Sequence, residues 1–309
     1  MRALLALLLS LPLAAAPQEK GRKSLRIPVW LNGGNGAAPA LTAKDLAAKV
    51  SGAPVRVLRA QGPTDDLMIV LVLDLTEDLS LVEIAKDALV EAVGKLPANT
   101  HAGLMRAQDG LRVLADPAQD RAQLIEAIRT LPVSGKAGLL ETVETAARLG
   151  DAILRKAAVR AALLYVTDSS IYNYRDDYIN PVVNYSDHGD LSRRFPEGLV
   201  KEKIARLERR LAALETPLFI VHLNYRGDRL NEAYQTGLMQ LASTLGGTSA
   251  FCRSRPEIPE AIGTAFGRIA SAWRVDIQLP ERLPKTFQVE LESGGRALVY
   301  RNRFALEER

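Results

Sequence analysis

The chain has 309 residues, of which 47% are hydrophobic and 25% are charged, with a formal net charge of +4. This apolar content supplies a folded core and excludes a wholly disordered chain. Acidic and basic residues are interleaved, so the small positive excess argues against nucleic acid as a partner. Cys252 is the only cysteine, which excludes an intramolecular disulfide.

The N-terminus has the pattern of a secretory signal peptide. Arg2 is followed by an apolar run from Leu4 to Leu13 and by the small residues Ala14 to Ala16. The run is shorter than the ~20 residues of a membrane span, and no later stretch is long enough. We therefore expect residues 1–16 to be removed and the mature protein to be secreted or periplasmic, without a membrane span.

The next segment, residues 17–66, is predicted to be rich in β-structure. Residues 25–31 form a strand, and Pro28 within it is typical of a sheet edge. A second strand is predicted at residues 55–58. The segment has too little apolar material to fold alone, so it needs a partner sheet.

From residue 67 to residue 273, apolar strands alternate with amphipathic helices. The predicted strands are 67–73, 102–107, 111–115, 161–167, 217–223 and 249–252. The predicted helices are 79–96, 116–131, 137–156, 197–214, 229–245 and 259–273. This order predicts an α/β fold with a doubly wound, mostly parallel sheet covered by helices on both faces.

Three further strands are predicted in the last segment, residues 274–309, at 274–279, 286–291 and 296–300. Their side chains alternate between apolar and polar, as in antiparallel sheets with one exposed face. These strands are the candidate partners of residues 17–66. We expect a small antiparallel β module built from both chain ends, with the α/β domain inserted between them.

Polar side chains follow two of the buried strands. Asp74, Thr76 and Asp78 come after the first strand of the α/β region, and Asp168 follows the strand at 161–167. Ligands bind at the carboxyl ends of parallel strands, where such oxygen atoms can converge on Mg²⁺ or Ca²⁺. Alternatively, the first three residues only cap the helix that begins near Leu79.

Residues 169–196 are long and irregular for a connection and contain tyrosines among Asn, Asp and Arg. Tyrosine with small polar neighbours is typical of recognition loops. The alternative is a loop packed by its own side chains. The candidate partner-binding residues are Tyr172, Tyr174, Tyr178 and Tyr185.

With these features, most of the chain resembles the von Willebrand factor A domain, in particular a group of secreted bacterial VWFA-related proteins. The resemblance implies a non-enzymatic protein-binding module. In that family, an Asp-x-Ser-x-Ser loop, a Thr and an Asp form a metal-ion-dependent adhesion site, and a partner's carboxylate completes the metal shell. The matching motifs are Asp74-x-Thr76-x-Asp78, Thr167-Asp168, Gly246-Gly247-Thr248, residues 41–46 and the C-terminal strands.

Residue by residue, Asp74 and Asp168 match the two aspartates of the family site, and Thr76 can replace its first Ser. Asp78, however, stands where a small hydroxyl belongs, and Ala137 stands at the position of the site threonine. The resemblance therefore implies a degenerate site.

Two interpretations of this degenerate site are open. Clustered carboxylates without a cation repel one another and raise a pKa, and Lys136, beside Ala137, could neutralise them in place of the metal. Alternatively, the extra carboxylate of Asp78 compensates for the lost threonine and the site still holds Mg²⁺ or Ca²⁺.

A competing hypothesis is a phosphoryl-transfer enzyme of the haloacid dehalogenase type. Asp74-x-Thr76 resembles the nucleophile loop of that class, with Asp74 attacking phosphorus and Asp176 and Asp177 as metal acids. These two acids lie in the Tyr-rich loop rather than directly after a strand, which makes this assignment weaker. We therefore expect a secreted or periplasmic module that binds another protein.

Overall fold

The computed structural model describes residues 24–31, 41–117, 120–174 and 196–307, and only the main chain of residues 196, 197 and 199. The predicted signal peptide lies outside these ranges. Among the described residues, none of the helices combines the length and apolar character needed to cross a bilayer.

A six-stranded sheet runs through the middle of the chain, in the order β10-β9-β8-β5-β6-β7. All of its neighbouring pairs are parallel except β6 and β7, which form an antiparallel hairpin. The strands are β5 (Leu67–Asp74), β6 (Thr100–Arg106), β7 (Arg112–Ala115), β8 (Arg160–Thr167), β9 (Leu218–His222) and β10 (Ser249–Phe251).

Helices cover both faces of this sheet, as the alternation of elements predicted. The described α-helices are α1 (Leu79–Gly94), α2 (Arg121–Arg129), α3 (Leu139–Lys156), α4 (Pro196–Leu211), α5 (Arg229–Thr244) and α6 (Glu257–Ala270). Side chains of β5 alternate between the two faces. Ile69 belongs to the core shared with α1, α2 and α6, whereas Val70 belongs to the core shared with α3, α4 and α5. Both faces are therefore buried, which explains why β5 is apolar along its length.

Two antiparallel sheets adjoin the parallel sheet, and both chain ends contribute to them. Their orders are β13-β1-β11-β4 and β14-β12-β2-β3. The strands are β1 (Ser24–Leu31), β2 (Ala47–Val50), β3 (Ala53–Val55), β4 (Val57–Gln61), β11 (Trp273–Gln278), β12 (Thr286–Glu292), β13 (Leu298–Tyr300) and β14 (Arg303–Ala305).

The predicted pairing of the two chain ends is confirmed. β1 and β4 flank β11, and β2 pairs with β12. The predicted segment limits, 17–66, 67–273 and 274–309, stay a prediction.

The predicted edge position of Pro28 is wrong, because β1 lies between β11 and β13. Pro28 is tolerated there because the pairing with β13 begins only at Val29. The missing N–H of Pro28 therefore does not interrupt that ladder.

Helix α2 begins later than predicted. It starts at Arg121 rather than at Asp116, and Asp120 caps it by accepting the N–H of Ala122. Asp109 and Gly110 lie in the turn that joins β6 and β7. Both residues have positive φ, 55° and 98°, as a tight turn between β6 and β7 requires.

Candidate functional site

The two central strands of the parallel sheet end side by side, and an aspartate stands at each end. Asp74, the last residue of β5, pairs in register with Thr167, the last residue of β8. The carboxyls of Asp74 and Asp168 are both fully buried. The structure thus places these two residues at one rim of the sheet, as the strand order in the sequence led us to expect.

Asp168 holds the β5–α1 loop through its carboxylate. One oxygen accepts the N–H of Thr76 at 2.7 Å, and the other accepts the N–H groups of Glu77 at 2.8 Å and Asp78 at 3.0 Å. The Thr76 hydroxyl lies 3.4 Å from the same carboxylate. A buried carboxylate needs such donors, because an unpaired buried charge is costly.

Asp74 is bound in the same way by the beginning of α3. Its two oxygens accept the N–H of Gly138 at 2.9 Å and that of Leu139 at 3.2 Å, and the Thr167 hydroxyl donates to it at 3.3 Å. Burial raises the pKa of Asp74 to about 7, and the nearby Asp168 carboxyl adds to the rise, while these hydrogen bonds oppose it.

Asp78 caps α1, which is the alternative that the sequence left open. Its carboxylate accepts the N–H of Ser80 at 2.9 Å and the Ser80 hydroxyl at 2.6 Å. The hydroxyl hydrogen bond lowers the pKa of Asp78. This carboxylate therefore stabilises the N-terminus of the helix.

Ala137 and Lys136 precede α3 but differ in environment. Ala137 is buried in the core on the α3 face, so no hydroxyl reaches the rim from this position. Lys136 is exposed, and its main-chain N–H donates to Asp109 at 2.9 Å. The groups that bind the Asp74 carboxylate directly are thus main-chain N–H groups and Thr167.

The carboxylates at this rim are poorly suited to bind a metal ion. The carboxylate oxygens of Asp74 and Asp168 are occupied by five main-chain N–H groups, and Asp78 is used as a cap. In the described part of the chain, no three His, Cys, Asp or Glu side chains are grouped so that they could hold a metal.

Parallel strands flanked by helices, an antiparallel edge hairpin and acidic residues at the ends of the two central strands agree with the motif resemblance. The chain has a von Willebrand factor A (VWA) type of fold.

Several solved structures are similar to this chain at low sequence identity. A von Willebrand factor type A protein from Catenulispora acidiphila is 12% identical, with 94% of this chain and 76% of that chain covered and a TM-score of 0.44. BatB from Bacteroides thetaiotaomicron is 15% identical, with 66% and 98% covered and a TM-score of 0.38.

Proximal thread matrix protein 1 from the mussel byssus, solved with a zinc-occupied metal-ion-dependent adhesion site, is 13% identical. It covers 73% of this chain, with a TM-score of 0.42, and this chain spans 50% of its length. No protein-family model matches the sequence, and no curated protein sequence matches it significantly.

The tyrosines of the VWA-type domain's Tyr-rich loop have different environments. Tyr172 is 47% exposed, and its hydroxyl donates to Asp228 at 3.4 Å. Tyr174 is fully buried against Tyr234, with ring centroids 5.7 Å apart, so its predicted direct contact with a partner is wrong. Tyr178 and Tyr185 lie outside the described residues, as do Asp176 and Asp177 of the phosphoryl-transfer hypothesis.

The sequence did not predict a row of buried, hydrogen-bonded hydroxyl groups below the rim. Thr167 Oγ1 lies 2.6 Å from Ser169 Oγ, which lies 3.0 Å from the Tyr234 hydroxyl. The row starts at the Asp74 carboxyl, because Thr167 also donates there. These residues come from β8, the loop that follows it and α5, and no sequence motif joins them.

His222, at the end of β9, supports the same rim from below. Its Nδ1 accepts the N–H of Asn224 at 3.3 Å, so Nε2 carries the proton and donates to the carbonyl of Ser169 at 2.8 Å. Burial lowers the pKa of His222 to about 4. The imidazole is therefore neutral at physiological pH and has a packing role.

The outer surface of the rim carries exposed apolar side chains beside an ion pair. Leu79 is 64% exposed at the first position of α1. Glu77 in the same loop pairs with Arg226 and accepts the Ser170 hydroxyl at 3.1 Å. The VWA-type domain therefore exposes Leu79 at the start of α1, directly after the loop that Asp168 holds, and Tyr172 in the segment that follows β8.

Proposed function

We propose that the protein is a secreted or periplasmic, non-enzymatic VWA-type module that binds another protein at the carboxyl ends of β5 and β8. The observation that supports this most is the exposure of Leu79 and Tyr172 next to the Asp74–Asp168 rim. Tyrosine is enriched among the residues that contribute most to binding at protein interfaces, and Leu79 adds exposed apolar area at the same end of the sheet.

We further propose that this rim binds its partner without Mg²⁺ or Ca²⁺. Main-chain N–H groups already satisfy Asp74 and Asp168, including the N-terminus of α3, where the helix dipole favours a negative group. We propose that main-chain N–H groups, rather than the ammonium group of Lys136, stabilise the buried carboxylates, because Lys136 is exposed.

Calorimetric titration with Mg²⁺, Ca²⁺ and Mn²⁺ tests the metal-free proposal. We expect no saturable binding to the wild-type protein or to Asp74→Ala. Saturable binding to the wild type that Asp74→Ala abolishes would overturn the proposal and support the degenerate metal site instead.

Affinity capture from the envelope and secreted fractions of the native cells tests the binding surface. The bait is the wild-type protein, and a double variant, Leu79→Ser with Tyr172→Ala, removes both exposed side chains. We expect the double variant to lose the captured partner. The matched control is Met239→Ser, which changes a side chain that is 51% exposed in α5. Equal capture by all three baits would refute the assigned surface.

The phosphoryl-transfer alternative requires Asp74 as an accessible nucleophile. Its carboxyl is fully buried and bound by the N-terminus of α3. We therefore expect no hydrolysis of p-nitrophenyl phosphate, with or without Mg²⁺. Turnover that Asp74→Asn abolishes would contradict the non-enzymatic assignment.

A further inference from the structure

A cleft of about 1030 Å³ lies at the opposite end of the parallel sheet from Asp74 and Asp168. One wall is the turn between α5 and β10, where the Thr248 carbonyl accepts the N–H of Ile220 near the start of β9. The other wall is formed by strands β12, β13 and β14. The cleft is therefore separate from the proposed partner-binding rim.

All described charged side chains that line this cleft are positive. Arg268, Arg301 and Arg303 line it, and none of the described residues in its wall is Asp or Glu. Asp151 and Glu215 interact with Arg301 from outside the cleft, so the charged groups in the wall itself are all positive, and this favours an anionic ligand. Val299 and Tyr300 also line the cleft, and Val299 is 42% exposed.

Arg268 has an unused hydrogen-bond donor. Its guanidinium stacks 4.9 Å above the ring of Trp30, whose Nε1 donates to the Arg268 carbonyl at 2.8 Å. The Nε of Arg268 is buried and, within the described residues, has no hydrogen-bond acceptor. Because Nε is shielded from solvent, a ligand in the cleft would meet the terminal guanidinium nitrogens of the half-buried Arg268, which can donate charge-assisted hydrogen bonds to an anion.

Arg301 is held rigidly in the wall of the cleft. It donates to the carbonyls of Ala212, Leu214 and Arg303, so its hydrogen bonds go to neutral oxygens rather than to carboxylates. Burial lowers the pKa of Arg301 to about 10. The turn facing it needs glycine, because Gly246 has a φ of +77° and a Cβ there would lie 3.0 Å from the Arg301 side chain.

We propose that this cleft binds an amphipathic anion, whose carboxylate or phosphate group contacts Arg268 and Arg303 and whose apolar part packs on the exposed Val299. The ligand is a fatty acid or a phosphate monoester with an alkyl chain. This site is independent of the protein-binding proposal, since it uses none of the residues of the rim.

Fluorescence titration with 8-anilinonaphthalene-1-sulfonate, itself an amphipathic anion, tests the proposal on the full chain. We expect saturable binding that octanoate or octyl phosphate displaces and that the uncharged 1-octanol does not. The ranking of octanoate, octyl phosphate and inorganic phosphate identifies the anionic group and shows whether the alkyl chain contributes.

The variants Arg268→Gln and Arg303→Gln should each weaken binding of the probe about tenfold, which corresponds to one lost charged contact. Arg303 is exposed, so its variant separates loss of binding from loss of folding. The matched control is Arg112→Gln, an exposed arginine of β7 at the far edge of the parallel sheet, which should bind as the wild type does. No saturable binding, equal displacement by 1-octanol, or unchanged affinity in both cleft variants would overturn the proposal.

Discussion

The main-chain N–H of Asp168 donates to the main-chain carbonyl of Asp74 over 3.4 Å, which carries the pairing of β5 and β8 one step beyond the end of β8. This contact brings two buried carboxyls to the same corner of the sheet. Each is satisfied by a different segment, Asp168 by the β5–α1 loop and Asp74 by the start of α3. The rim is therefore held together by carboxylates that accept main-chain N–H groups.

Asp168→Asn should destabilise the protein by about 3 kcal/mol, because hydrogen bonds to a charged acceptor are strong and the asparagine NH₂ would face main-chain donors. Urea unfolding measures the loss. Asp45→Asn is the control. Asp45 is exposed and accepts from the N–H and hydroxyl of Thr42 at 2.8 and 2.7 Å, so its replacement should cost much less stability than that of Asp168. Equal losses would show that Asp168 does not organise the loop.

The raised pKa of Asp74 predicts a pH dependence of stability. The folded protein holds this proton up to about pH 7, whereas the carboxyl of the unfolded chain releases it near its ordinary pKa of 3.8. The proton therefore favours the folded state at low pH, and this contribution is lost as the pH rises between these two values, by about 1.4 kcal/mol per unit.

The measurement compares the wild type with Asp74→Asn, whose side chain does not titrate. Between about pH 4 and about pH 7, the free energy of unfolding of the wild type should fall relative to that of the variant. Parallel curves for the two proteins would contradict a raised pKa at Asp74.

Gly138→Ala should cost about 3 kcal/mol or more, because a Cβ at this position would lie 2.0 Å from the carbonyl oxygen of Ala107. The shift needed to relieve this clash also moves the N–H that binds Asp74. Gly94→Ala, at the last residue of α1, meets no atom within 4 Å and should stabilise the protein by about 0.5–1 kcal/mol. Thermal unfolding separates the two, and similar values would refute the close approach at Gly138.

Arg160→Lys should destabilise the protein by about 3 kcal/mol. The buried guanidinium donates to the carbonyls of four residues, at 2.8 to 2.9 Å: Pro63, Asp65, Ala270 and Ala272. A lysine has three donors and no planar fork, so it cannot replace these contacts. Arg112→Lys, on the exposed surface of β7, should be neutral in the same urea titration. A neutral Arg160→Lys would show that these carbonyls find other donors.

The periodicity of the sequence was sufficient to predict the fold class. Apolar runs such as Leu67–Asp74 indicate strands buried on both faces, and the alternation of strands and helices implies a parallel sheet. The pairing of the two chain ends was also predictable, because residues 17–66 had too little apolar material to fold alone and the alternating C-terminal strands offered a partner sheet. The short strands β2 and β14 were missed, because three or four residues carry too weak a pattern.

The sequence also placed Asp74 and Asp168 at one rim, because carboxyl ends of parallel strands share an edge. It could not determine what those carboxylates bind. That depends on main-chain N–H groups of Thr76, Glu77, Asp78, Gly138 and Leu139, which every non-proline residue carries and which leave no signature in the sequence.

Tyr172 and Tyr174 also show what the sequence could predict and what it could not. Composition alone identified a Tyr-rich loop, but only the tertiary structure decided that one ring is 47% exposed and the other fully buried. The three arginines of the cleft come from α6 and from the region of the last two strands, which are well separated in the sequence. Local pattern is set by neighbours along the chain, whereas burial and converging charge are set by segments that meet only after folding.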